Sequence, residues 1–366
     1  MKKITIIVIA LILISLPQVL AETKHTPTPF ELPPIYDWRD INGVDYTTPV
    51  KDQSPAPTCE TYALCAVLET IMQYQEGELF EPDLSETHLY FYSGGTYEAG
   101  GVNVHDAAQY LIDYGVPDEG CYPDPHRPYD YPFESLTGWE ERTVKITDWG
   151  CIDKDENLIK QGLIDHGPLV ICISVYTNFL SYQEGIYDTI EGEREGGHLV
   201  ALMGYNDIDR CWIMKNSWGD KWGEDGYIRV SYDTDIFISP CYGGSGFLYV
   251  DGVYGNFKPD VPRVYITRPD IYYTYVFSLP IPTLFRNVES MQKTAPRIFG
   301  RNIVKVSAEN ANKVEFYLDD ELRATDENPP YQAVLHTIPG MHTITVLAYN
   351  EQGNISMDIR DEIKFI

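Results

Sequence analysis

Beyond residue 21 the chain has no apolar run long enough to cross a bilayer, no CxxC pair and no Cys/His spacing of the metal-binding kind. We therefore expect no membrane anchor in the mature protein, no metal and no other cofactor. Basic side chains are scarce as well, with 27 Lys/Arg against 55 Asp/Glu over 366 residues. The shortage is local: residues 22–262 carry 14 basic and 42 acidic side chains, whereas residues 263–366 carry 11 and 13. So acidic a first part argues against nucleic acid or anionic lipid as a partner. Solvation is the simple account of the charge, and a preference for basic substrates is a second.

The length suits two folded units better than one core. Lys2 and Lys3, the apolar run from Ile4 to Leu16 and the small-residue site Val19-Leu20-Ala21 read as a secretory signal peptide over residues 1–21, too short for a membrane span. The mature protein is thus expected outside the cytoplasm, secreted or at the cell surface. Residues 22–34 form a Pro/Thr-rich extended connector. Residues 35–256 read as helices first and antiparallel strands later, an α+β unit with a cleft between a helical lobe and a β lobe. Helices are expected over Thr58 to about Gln75, Asp106–Tyr114 and Glu156–Asp165, and strands at LVICISVY, HLVALMGYN, CWIMKNS and GYIRVSYD. DKDEN at Asp153 has the look of a calcium loop, but Leu158 stands where a glycine is needed, so a helix N-terminus is expected there. After a linker at 257–262, residues 263–366 alternate apolar and polar residues between turns, as in an all-β sandwich.

All seven cysteines lie in the acidic unit, at 59, 65, 121, 151, 172, 211 and 241. Cys65 and Cys172 sit in apolar runs and read as buried small hydrophobes. Cys59 differs. It opens a helix in PVKDQSPAPTCETYALCAVLE, six residues after Gln53, and far downstream GGHLVALMGYND and CWIMKNSWGDKWGEDGY supply His198 and Asn216 on neighbouring strands. A thiol attacks as its thiolate and needs help to lose its proton near neutrality. With Thr58 as N-cap, the helix end favours negative charge at Cys59, and His198 can hold the proton and return it to a leaving amine. Asn216 would orient the imidazole, while Gln53 and the Cys59 backbone N–H would stabilise a tetrahedral oxyanion.

At these residues the chain resembles the papain-like cysteine peptidases, from YDWRD through PVKDQ, LSETHL, Gly100-Gly101 and DHGPLV to KNSWGDKWGEDGYIRV, nearly all of residues 35–250. The resemblance implies a two-lobed papain-like fold acting on protein or peptide substrates. It implies Cys59 as nucleophile, His198 as general acid/base, Asn216 as orienter and Gln53 as oxyanion donor. Gly100, Gly101, Gly197 and Trp218 would meet the substrate, with Trp218 also covering the His–Asn pair. Residues 263–366 resemble prokaryotic immunoglobulin-like domains, chiefly through KVEFYLDDELRATDENPPY and HTITVLAYNEQGN, which implies a module for positioning or for an extracellular ligand.

The chain departs from the peptidase pattern before and after its thiol. Ala56 replaces a disulfide cysteine, Pro57 stiffens the loop, and Glu60 replaces a tryptophan, where a carboxylate opposes thiolate formation if it faces the site. Residues 22–34 are too short for the family's inhibitory propeptide. Beside an exported endopeptidase, the alternative is therefore a catalytically inactive peptidase-like protein that binds at the cell surface through its cleft. A non-proteolytic acyl transferase using the same residues is a third reading.

Overall fold

The computed structural model describes residues 32–53, 56–77, 79–96, 100–124, 134–238, 246–255, 260–270, 273–282 and 295–365. The signal peptide expected at 1–21, the connector up to residue 31, residues 257–259 of the linker and Cys241 lie outside them. Among the described residues no helix is long and apolar enough to cross a membrane.

Helix α1, Cys59–Glu76, begins just past Pro57 and ends at Gly77, whose left-handed backbone (φ 66°) returns its N–H to Gln73 O at 3.1 Å. Leu64, Val67, Leu68, Ile71 and Met72 recur at spacings of three and four, and all are buried. Helix α2, Glu86–Tyr92, and α3, Val104–Asp113, pack beside α1 and share a core that includes Leu89, Ala107 and Leu111. Helix α4, Glu156–Asp165, starts at Asp155, whose carboxylate accepts from the N–H groups of Asn157 and Leu158. The DKDEN segment is thus a helix N-terminus, as its sequence implies.

The strand Arg194–Asn206 joins the two halves. Ala201 and Met203 enter the core around α1, while Val200 and Leu202 enter a second core with Ile171, Trp212, Met214 and Val230. Residues two apart share a face, so one strand feeds both cores. It pairs antiparallel with Leu169–Tyr176 on one side and Cys211–Lys215 on the other; Tyr227–Ser231 follows, then Ile186–Tyr187 running parallel. Gly204 is required where Ile35–Asp37 joins, because a Cβ there would lie 2.3 Å from Tyr36 O.

From residue 263 the chain is all β. One sheet holds Arg263–Arg268, Asn302–Glu309 and Gln332–Leu335; a seven-stranded sheet includes Lys313–Leu318, Gly340–Tyr349 and Ile355–Lys364. Val304 of the first sheet and Phe316, Ile344 and Val346 of the second meet in one enclosed core. The run KVEFYLDDELRAT folds as a hairpin, turning at Asp319 and Asp320 with φ of 50° and 65°. This part is docked against the first. Arg142 bonds Asp118 and reaches across to Ile355 O at 2.6 Å, and Arg263 reaches Phe80 O and Glu81 O, each at 2.6 Å.

A buried ion cluster fixes the segment that carries Gln53. Lys51 Nζ lies 2.9 Å from Glu69 of α1, 2.7 Å from Glu86 of α2 and 2.7 Å from Asp83. Thr48 donates to the second Glu69 oxygen at 2.6 Å and accepts from the buried Lys215. Burial opposes the Lys51 charge, but Asp83, Glu69 and Glu86 outweigh it and hold its pKa well above the ordinary value. Burial also pushes the Glu86 carboxyl up to about 8. Replacing Lys51 by methionine leaves two enclosed carboxyls without their cation. We expect Lys51→Met to destabilise the protein by about 3 kcal/mol, the lower end for breaking a buried pair because Lys51 is itself 24% exposed. Chemical denaturation measures this, and an unchanged midpoint would contradict the role given to the cluster.

Candidate active site

Cys59 occupies the first position of α1 and is a partly exposed, free thiol. Thr58 stands at the N-cap position as expected, yet its side chain makes no capping bond; its hydroxyl points to Ala56 O at 3.4 Å. The sulfur accepts a hydrogen bond from the backbone N–H of Leu199, the neighbour of His198. Thiol and imidazole therefore belong to one locality, formed where the end of α1 meets the strand Arg194–Asn206.

The His198 ring is buried. Its Nε2 lies 2.7 Å from Asn216 Oδ1, which also accepts from Ser217 N–H at 2.8 Å. Two donors on one atom fix that atom as the carbonyl oxygen, so the imidazole carries its proton on Nε2 and leaves Nδ1 as a base. Trp218 stacks on the ring, with centroids 4.7 Å apart and planes at 28°, and is itself held edge-on by Phe179 and Trp222. Burial lowers the His198 pKa to about 4, although the Asn216 bond works the other way.

Gln53 is fixed from both ends of its carboxamide. Ser217 donates to Oε1 at 2.6 Å, and Nε2 donates to Ala56 O at 3.0 Å, leaving one further N–H on that nitrogen. Gly100 and Gly101 both have positive φ, 66° and 146°, a backbone region that side-chain-bearing residues rarely adopt. A Cβ on Gly101 would meet Glu60 Oε1 at 2.7 Å. Gly197 is exposed on the strand that carries His198, and a Cβ there would meet Cys172 Sγ at 3.8 Å.

The structure differs from the sequence reading at Cys172. Its thiol is partly exposed and accepts from the His198 backbone N–H, so it borders the cleft instead of filling a core. The antiparallel register that sets Cys172 opposite Leu199 turns it this way. Cys65 is fully buried as expected; Cys121 is buried as well, Cys211 is a buried free thiol, and Cys151 is disulfide-bonded. One participant escaped the sequence reading: Ser217 orients Gln53, and its signal was its place inside KNSWG. Glu60, whose direction the sequence left open, faces the thiol: its carboxyl accepts from its own N–H and from Val102 N–H, and it is hydrogen-bonded to the Cys59 thiol. Burial, followed by the Glu60 charge, pushes the Cys59 thiol far up from its ordinary value.

A cavity of about 700 Å³ lies elsewhere, between the first part and the C-terminal sheets, lined by residues such as Lys51, Glu119, Tyr265 and Arg360. It does not include the thiol. Among the described residues no group of His, Cys, Asp and Glu is arranged to hold a metal ion.

Residues 32–242 match the sequence model described as Papain family cysteine protease. The chain belongs to that family. It is 34% identical over 217 residues to Procathepsin L of Felis catus, covering 56% of this chain and 62% of that protein. To the Viral cathepsin of Cydia pomonella granulosis virus (isolate Mexico/1963) it is 32% identical over 208 residues, 56% of this chain and 59% of that one. The match thus spans about three-fifths of the length of these relatives. A solved structure of the bromelain protease from Ananas comosus aligns with 60% of this chain and 99% of its own, at 26% identity and a TM-score of 0.49.

Trp218 accounts for the dry surroundings of His198. Replacing Trp218 by alanine should move the imidazole pKa from about 4 up towards the ordinary histidine value near 6.5. Histidine ring NMR across the titration measures the midpoint; a midpoint that stays put would mean that other groups exclude the water.

Proposed function

We propose that this protein is an exported cysteine endopeptidase that hydrolyses peptide bonds through a thioester on Cys59. The reading is carried by one observation: the backbone N–H of Leu199 holds the Cys59 sulfur, and the residue before it, His198, has its ring held on Asn216 under Trp218. His198 Nδ1 takes the thiol proton as the sulfur adds to a peptide carbonyl. The resulting oxyanion is stabilised by the remaining Gln53 N–H and by the Cys59 backbone N–H, each such donor lowering the barrier by about 3 kcal/mol. The imidazolium gives its proton to the leaving amine, and a water activated by Nδ1 then hydrolyses the thioester. Gly100, Gly101 and Gly197 keep side chains off the path of an extended substrate backbone. Trp218 excludes water from the His–Asn pair.

The other parts of the proposal concern the setting of this site. Residues 1–21 act as a signal peptide, so the protein works in the extracellular space or on the cell surface. The peptidase unit spans residues 35–256, and residues 263–366 form an immunoglobulin-like module that positions it. The two-sheet core around Phe316 and Val346 supports this module, as does the alternation that builds it.

Glu60 beside the thiol favours the second reading, a silent cleft that only binds. A peptidyl epoxide separates the two. We expect it to alkylate Cys59 in the folded, reduced protein, and Cys59→Ala to abolish both labelling and peptide cleavage. Peptide mapping reads the outcome. No adduct on Cys59 anywhere across a pH series would favour the binding protein.

A further inference from the structure

The departure at Glu60 has a use. The carboxyl is pinned by its own N–H and by Val102 N–H, lies against Gly101, and touches the thiol; its Oε2 is enclosed without a hydrogen-bond partner. Among the described residues, the groups acting directly on it carry no positive charge. Helix α1 contributes Cys59; α2 contributes Tyr90, whose hydroxyl donates to Thr96 O at 2.8 Å; the strand Leu169–Tyr176 contributes Cys172, behind which Arg194 of the neighbouring strand acts on the Cys172 thiol; and Val102, ahead of α3, contributes its backbone N–H. Among the described residues no Lys, Arg or His forms an ion pair with it.

We propose that Glu60 is a catalytic residue operated by a proton: neutral, it donates its hydrogen bond to the Cys59 thiolate; ionised, it accepts the thiol's proton and holds the sulfur unreactive. The proposal rests on the peptidase reading and specifies how that site is regulated. One contact serves both states because a carboxylic acid is a donor and a carboxylate is acceptor-only. The positive end of α1 is the second part of the device. It stabilises one negative charge well, and an ionised Glu60 bonded to its own N–H in the first turn takes that position before the sulfur can. In the neutral state the helix end serves the sulfur, whose proton passes to His198 Nδ1 while the carboxyl keeps its own. Thiolate and imidazolium then form together, with no net change in protons.

The sign follows. Burial raises the Glu60 pKa above that of an ordinary carboxylate, so the neutral, competent form persists to higher pH than a solvent-exposed glutamate would allow. Reactivity of the sulfur falls as pH rises through that titration, opposite to a free thiol, whose reactivity grows with pH. A glutamine at position 60 is a donor at every pH and removes the charge. An alanine removes charge and donor alike.

The test is the rate at which iodoacetamide, a neutral reagent, alkylates Cys59 between pH 4 and 9, read by peptide mapping, with thiolate absorbance followed in parallel. Wild type should label fastest at acidic pH and lose about tenfold per unit above the Glu60 titration. Glu60→Gln should hold its acidic rate to neutrality, at least about tenfold above wild type at pH 7, with Glu60→Ala between them. Profiles that coincide for wild type and Glu60→Gln, with Cys59 labelled in both, overturn the proposal and leave the peptidase reading standing. No labelling of Cys59 in any variant at any pH overturns both.

Discussion

The site depends on a single constraint, that a buried imidazole keep its proton on one nitrogen. The 2.7 Å bond from His198 Nε2 to Asn216 Oδ1 imposes it, and Ser217 fixes the amide by donating to the same oxygen. Trp218, braced edge-on by Phe179 and Trp222, keeps water from competing for that bond. A ring so placed stays neutral in the resting protein and leaves the Nδ1 lone pair open to whatever faces it. The strand that carries it reaches into both cores, so its position is tied to the packing of the whole first part.

Charge is handled differently on the two sides of the thiol. Away from the cleft, Lys51 neutralises carboxyls that α1 and α2 turn inward, and this anchors the segment bearing Gln53. At the cleft, no cation among the described residues pairs with Glu60. Burial and an ionised Glu60 both disfavour a thiolate at Cys59, and burial disfavours an imidazolium at His198. The helix terminus is a fixed source of positive potential beside both groups, and the carboxyl and the sulfur compete for it, while Arg194 acts on Cys172.

Much of this was legible in the sequence because it is written locally. The α1 stripe, the Asp155 cap and the period-two strands carry their own signals, and the helices and strands expected from those signals fall within a few residues of the expected places. The order Gln53, Cys59, His198, Asn216 pointed to the candidate site. What escaped is set by contacts distant in sequence. Helix α2 was hidden because ETHLYFY is apolar and aromatic without a clean period, although Ser85 caps it. Cys172 has the neighbours of a core residue, and only strand register turns its thiol to the cleft. The direction of the Glu60 side chain could not be read from position alone, since it depends on the loop at Gly101.

The central claim is that the sulfur of Cys59 carries the acyl group from a cleaved peptide bond. Rapid acid quench of a turnover reaction with an activated peptide ester, followed by mass spectrometry of the intact protein and its peptides, tests it most directly. The account predicts an acyl adduct on the peptide containing Cys59 that forms and decays at the rate of turnover. Product release with no adduct, or with the adduct on another side chain, would contradict it.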